Sequence, residues 1–192
     1  IAESIFQQLI HEKYSVPRYI VVGAGTGGTS ATIGRYIRYF LLDGDRPELI
    51  VADPERSVFF DYFRTGDETL TSGMSGRIEG IGRPRVEPSF IRDVIDDVMR
   101  VPDAASIAGL RFIERLLGKK VGGSTGTNVF AVFKLISQMI QSKTPGSIVT
   151  LLCDDGERYT DTYYSDRWLQ EQQLDITPYL SRIEQFADTG KL

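Results

Sequence analysis

The sequence predicts an α/β domain with a largely parallel sheet, and three apolar runs carry that expectation. Ile20 to Val22 is β-branched and passes through glycines into a helical pattern, Leu49 to Ala52 is a second unbroken run, and Ile148 to Cys153 follows two further helical segments. Strands buried on both faces of a parallel sheet read as continuous apolar runs rather than alternating ones. Strands that alternate with helices point to βαβ units.

The elements follow in order. The chain opens on Ile1 rather than Met, inside an amphipathic helix with Ile5, Phe6, Leu9 and Ile10 on one side, which points to chain upstream. After the first strand a helix starts near Thr29, with Ile33, Ile37 and Phe40 or Leu41 at three-to-four spacing and Gly44 as its stop. The second strand leads through Pro54 to an aromatic segment, Phe59 to Phe63, and then to a glycine-rich stretch without periodicity from Thr65 to Ser89, read as a long loop. Ser89 caps a helix carrying Phe90, Ile91, Val94, Ile95 and Val98, with Asp96 and Asp97 on its solvated face. Val101 ends a short strand, and Asp103 caps a helix from Ala104 to Leu117 that stops at Gly118. A glycine-rich turn, Gly122 to Asn128, precedes a helix from Val129 to Ile140, which Pro145 and Gly146 break before the last strand. The length of 192 residues suits one well-buried domain or slightly more.

Charge and composition exclude several classes. A net charge of −4 lacks the basic excess of a nucleic-acid-binding protein. No apolar run approaches the roughly 18 residues of a membrane span, and no basic start leads into an apolar segment as in a signal peptide. The single cysteine excludes an internal disulfide and is compatible with the cytosol. His11 is read as a surface residue and Cys153 as a small buried hydrophobe.

Three glycine-bearing turns at strand ends carry the chemistry. Gly23, Gly25, Gly27 and Gly28 permit a close backbone approach, and the helix start that follows offers free amides and a positive dipole end to an anion. Two ligands fit these letters. Gly23, Gly25 and Gly28 with Asp53 match the dinucleotide pattern of an NAD-dependent oxidoreductase, whereas Thr26 and Thr29 add hydroxyls to a compact Gly25–Thr29 cup suited to one monophosphate. The second turn presents Ser124 and Thr125 hydroxyls, suited to one hydrogen bond with a heterocyclic nitrogen. Asp154 and Asp155 could mimic a metal site, but without a histidine or a third nearby ligand they read rather as a polar turn after the last strand.

The ordered set GTGGT, EGIG, GGSTG and DGERY resembles the pyridoxal-phosphate enzymes of fold type II, the cysteine synthase and cystathionine β-synthase family. EGIGRPRVEPSF is most similar to its cysteine synthase-like or cysteine desulfhydrase subgroup, and TYYSDRWL resembles the cystathionine β-synthase ending. The likeness spans about Ile1 to Leu169 and implies a three-layer domain with pyridoxal 5′-phosphate as cofactor. It implies that Gly25, Thr26, Gly27, Gly28 and Thr29 hold the cofactor phosphate and that Ser124 meets the pyridine nitrogen. Gly80, Ile81 and Gly82 would border the substrate, and the turn at Asp154 and Asp155 would lie beside the ring. Arg83 and Arg85 depart from the small or aromatic residues usual after that glycine pair. They either pair with a substrate carboxylate or stand as solvated loop charges.

The resemblance also implies what this chain lacks. Family members carry, in an N-terminal portion, the lysine that forms the Schiff base with the cofactor and an asparagine-bearing loop that grips substrate. None of Lys13, Lys119, Lys120, Lys134, Lys143 and Lys191 has that context. The chain therefore reads as the C-terminal, cofactor-phosphate-binding part of a larger cytoplasmic, homodimeric lyase or transferase acting on cysteine, serine or an O-acetylserine-type amino acid, and as inactive alone. A non-catalytic regulatory homologue and the NAD reading stand as alternatives.

Overall fold

The computed structural model describes residues 1–40 and 46–192, so the expected helix end at Leu41 and stop at Gly44 lie outside the described residues. Four parallel strands form one sheet in the order β3-β2-β1-β4: β1 Tyr19–Gly23, β2 Glu48–Pro54, β3 Asp97–Val101 and β4 Ile148–Thr150. The helices are α1 Ala2–Leu9, α2 Gly28–Phe40, α3 Phe59–Thr65, α4 Asp103–Leu117, α5 Gly123–Ser142, α6 Asp166–Glu171 and α7 Thr177–Thr189.

Alternation along the strands explains the three layers. Ile20, Val22, Leu49 and Val51 face a core shared with α1, α2 and α3, whereas Val21, Ile50 and Ala52 face the core formed with α4, α5 and α7. Successive strand residues thus enter opposite cores, so an apolar residue is needed at every position. No helix among the described residues is long and apolar enough to cross a membrane.

The order of pairing opens the site. β1 pairs with β2 as far as Gly23 opposite Ala52, but with β4 only as far as Val21 opposite Thr150. The expected strand to Cys153 is therefore shorter, because the Cys153 N–H leaves the ladder and donates to Thr125 Oγ1 at 3.0 Å. β1 and β4 part at their carboxyl ends, which is where ligands collect when chain order reverses across a parallel sheet.

Three other expectations change. The apolar positions from Phe90 to Val98 form a 3-10 turn, Arg92–Val94, and then β3, not a helix. Asp96 is no solvated helix residue: it accepts the Leu49 N–H at 2.8 Å and Arg38 at 3.0 Å, fixing the start of β2. Asp103 does not cap α4, whose N-cap is Pro102; it is buried beside Arg56 and Arg77.

The glycine-rich stretch from Gly122 is largely not a turn but the first turns of α5, which begins at Gly123. Small residues there let α4 approach: a Cβ on Gly109 would stand 2.6 Å from the Gly126 carbonyl, and one on Gly126 would collide with the Ser106 carbonyl. Thr127 Oγ1 donates to Ser106 Oγ at 2.8 Å across the same contact. Gly126→Ala is expected to destabilise the chain by about 1–3 kcal/mol through overpacking, read as a lower urea midpoint; an unchanged midpoint would contradict this packing.

Candidate active site

A cavity of about 620 Å³ fills the gap between the ends of β1 and β4. One wall is Val22 to Thr29; the others are Glu79 to Ile81 with Arg83, the α5 residues Ser124 and Asn128, and Leu151, Cys153 and Asp154 after β4. Segments far apart in sequence meet here: the ends of β1 and β4, the start of α2, the first turns of α5 and the loop between α3 and β3.

The cup is set by backbone contacts. Gly25 lies under the Gly80 carbonyl, 2.6 Å from where a Cβ would stand, and Gly27 has φ +96° with the Phe90 backbone 2.5 Å from its Cβ position. Gly28 differs, since nothing lies within 4 Å of its Cβ position. Its side is open. The loop is held by Gly82 N–H donating to the Ala24 carbonyl at 2.8 Å and by Ser89 Oγ donating to the Thr26 carbonyl at 2.7 Å. The Ala31 N–H reaches the Gly27 carbonyl at 2.9 Å, so the amides of Gly28, Thr29 and Ser30 have no acceptor within α2. Those amides, the dipole of α2 and the exposed Thr26 and Thr29 hydroxyls suit a phosphate dianion.

Ser124 stands in the first turn of α5, nearly buried and lining the cavity. Thr125, expected to share that role, is fully buried and occupied by the Cys153 N–H. Asp154 lines the cavity and accepts the Tyr159 hydroxyl at 2.6 Å, a contact that leaves it with an oriented carboxylate. Asp155 does not line it; its Oδ1 accepts the Glu157 N–H at 2.9 Å and closes the turn.

Of the central loop, Gly80, Ile81 and Arg83 line the cavity. Gly82 packs against Pro54 and Ser57, with φ +73°. The two arginines separate: Arg85 points away, its side chain 76% exposed and its Nε 3.7 Å from Glu87.

Asn128 was missing from the sequence-based site. It lies one helical turn after Ser124 on the same face of α5, a spacing visible in the sequence. It is fully buried, its Oδ1 has no partner, and its Nδ2 meets Cys153 Sγ at 3.9 Å. Cys153 itself is exposed rather than buried, since it lies beyond β4 at the cavity edge.

Asp53 faces the other way. It is fully buried at the end of β2, where its Oδ2 accepts the Phe60 N–H at 2.9 Å below α3. It does not line the cavity, so the acid that a dinucleotide ribose requires is withdrawn.

A glycine cup with free amides at a helix start, facing a hydroxyl across the switch point of a parallel sheet, has the chemistry to suit a phosphorylated ligand carried on an α/β domain. The family described as pyridoxal-phosphate dependent enzyme matches residues 1–154, and the chain belongs to it. The L-cysteine desulfhydrase Cds1 of Mycobacterium tuberculosis is 54% identical over 175 residues, covering 91% of this chain and 47% of that protein. Cysteine synthase 1 of Neurospora crassa is 33% identical over 155 residues, 78% of this chain and 39% of that protein. A putative pyridoxal-phosphate dependent protein of Caenorhabditis elegans is 33% identical over 197 residues, 91% of this chain and 44% of that protein. The chain thus spans about half the length of the relatives it matches. The open side of Gly28, the free amides of α2 and the unpartnered Asn128 oxygen fit the family's cofactor.

Two buried acids away from the cavity titrate late. Burial raises Asp53 to about 7, against opposing hydrogen bonds from Ser57 and Phe60. Burial, and then the nearby Glu55 charge, raises Asp103 to about 6. Both folded values lie above the ordinary 3.8, so the folded chain keeps protons that the unfolded chain releases. Stability is expected to be undiminished by these acids below that pH and to fall as pH rises towards 7. Asp53→Asn should flatten the decline in urea-unfolding free energy between pH 4 and pH 7. An unchanged slope would refute the assignment.

Proposed function

We propose that this chain forms the phosphate-binding half of a pyridoxal-phosphate enzyme that eliminates or replaces the β-substituent of cysteine, serine or an O-acetylserine-type amino acid. The observation that carries the reading is the open glycine cup at the start of α2, placed across one cavity from Ser124. The relatives named as a cysteine desulfhydrase and a cysteine synthase support the substrate class. A cytoplasmic homodimer is the setting this reading implies.

Each residue has a task. Gly25 to Thr29 bind the phosphate dianion through amides and hydroxyls, which fixes one end of the cofactor. Ser124 offers a neutral hydroxyl to the ring nitrogen; it donates a hydrogen bond without giving up its proton, which disfavours a ring charge. Gly80 and Ile81 form the wall against which substrate lies, and Asp154, held by Tyr159, borders the ring edge. When bound, the cofactor supplies an electron sink that weakens bonds at the substrate's α- and β-carbons.

None of the described residues lining the cavity is a lysine. In this reading the covalent anchor comes from sequence outside this chain, joined to it in the complete enzyme. The purified 192-residue chain is expected to show a thermal shift with pyridoxal phosphate and none with NAD, and to release no sulfide from cysteine. Sulfide release by this chain alone, or a shift with NAD only, would overturn the reading.

Within the cup, Gly28→Asp places a carboxylate on the open side, where the phosphate is to stand. It should weaken pyridoxal phosphate at least about tenfold by like-charge repulsion, measured by titration. Unaltered affinity would move the phosphate elsewhere.

A further inference from the structure

A phosphate monoester brings about two negative charges into this cavity at neutral pH, and the walls already carry the acids Glu79 and Asp154. Arg158 pairs with Glu79, but Asp154 is engaged only by the neutral Tyr159 hydroxyl. Backbone amides at a helix start offer partial charges, not a full one. Among the described residues, Arg83 is the one cationic side chain lining the cavity.

The fold presents Arg83 to the cup. Its N–H donates to Ser57 Oγ at 3.1 Å and its carbonyl accepts the Val58 N–H at 3.0 Å, which fixes its backbone beside α3. The neighbouring Gly82 N–H donates to the Ala24 carbonyl at 2.8 Å, tying the same segment to the residue before the cup. Nη1 donates to the Gly82 carbonyl at 2.9 Å, and Nε stands 3.8 Å from Glu87 Oε1, beyond hydrogen-bond distance. Nη2 donates no hydrogen bond among the described residues and stands 3.5 Å from where a Cβ on Gly25 would be. A guanidinium nitrogen without a partner therefore sits at the first residue of the cup. Guanidinium groups bind phosphate oxygens by charge-assisted hydrogen bonds.

We propose that Arg83 is a further cofactor-binding residue, whose Nη2 donates to the phosphate on the cup and supplies the full positive charge that the amides of α2 lack. The inference rests on the reading of the cup as a pyridoxal phosphate site. It adds an arginine to a subsite for which the family resemblance implies glycines and threonines alone. Arg85, outside the cavity, has no part in it.

The test needs no turnover and no reactive aldehyde. Affinities for pyridoxine 5′-phosphate, pyridoxine and inorganic phosphate are measured by calorimetry on the wild-type chain and on Arg83→Met, Arg83→Gln and Arg85→Met. Both Arg83 variants are expected to bind the two phosphate compounds at least about tenfold more weakly, the effect of one charge-assisted hydrogen bond, with pyridoxine unchanged. Arg85→Met should match the wild type. Either Arg83 variant suffices if the other does not fold. A second readout follows the charge itself: phosphorus NMR of bound pyridoxine 5′-phosphate against pH. An adjacent cation favours the dianion, so the midpoint of phosphate protonation should lie about one pH unit lower in the wild type than in the Arg83 variants.

Unaltered affinity for pyridoxine 5′-phosphate in the Arg83 variants would overturn the proposal. So would a uniform loss of all three compounds with an unmoved midpoint, which would make Arg83 a prop for the loop and nothing more. Wild-type binding of pyridoxine 5′-phosphate no tighter than that of pyridoxine would instead reject the reading of the cup itself.

Discussion

The parting of β1 from β4 is the constraint on which the site depends. Parallel pairing holds them together to Val21 and Thr150; beyond that, Cys153 turns its N–H to Thr125 instead of to the sheet. The gap exposes the start of α2 on one side and the first turns of α5 on the other. A ladder continued to Gly23 would close it. Every group assigned to the cofactor or the substrate lies at this gap or on the loop folded over it.

That loop is fixed by the glycines beneath it. Gly25 and Gly27 admit backbone at distances that a side chain would forbid, so the carbonyl of Gly80 and the chain at Phe90 settle directly on the cup. The same packing carries Arg83 into the cavity and leaves Arg85 outside. The glycines thus serve two purposes. Gly28 leaves its side open, whereas Gly25 and Gly27 leave room for protein.

Buried polar groups mark where packing alone is not the criterion. An unpaired buried acceptor costs about 1–3 kcal/mol, and Asn128 Oδ1 lies unpaired at the cavity floor. Asp53 and Asp103 are burdened similarly, but each has a structural counterpart: the start of α3 for the first, and Arg56 and Arg77 for the second. Placed at the ends of β2 and β3, they brace the half of the sheet away from the cavity.

The sequence by itself determined the fold class and the family resemblance, because these depend on local chemistry. Continuous β-branched runs require two-sided burial, and glycines next to a helix start require a close approach. Tertiary structure decided what the same letters left open. Phe90 to Val98 shows helical spacing yet contributes β3, since pairing with β2 outweighs a short periodic signal. The small residues from Gly123 to Thr127 read as a turn but form a helix, because α4 packs against them. Asp53 sits where a ribose acid would sit in the sequence, and only the direction of its side chain, under α3 and away from the cavity, removes it. Side-chain direction depends on neighbours distant along the chain, which is why the sequence named both arginines and only Arg83 lines the cavity.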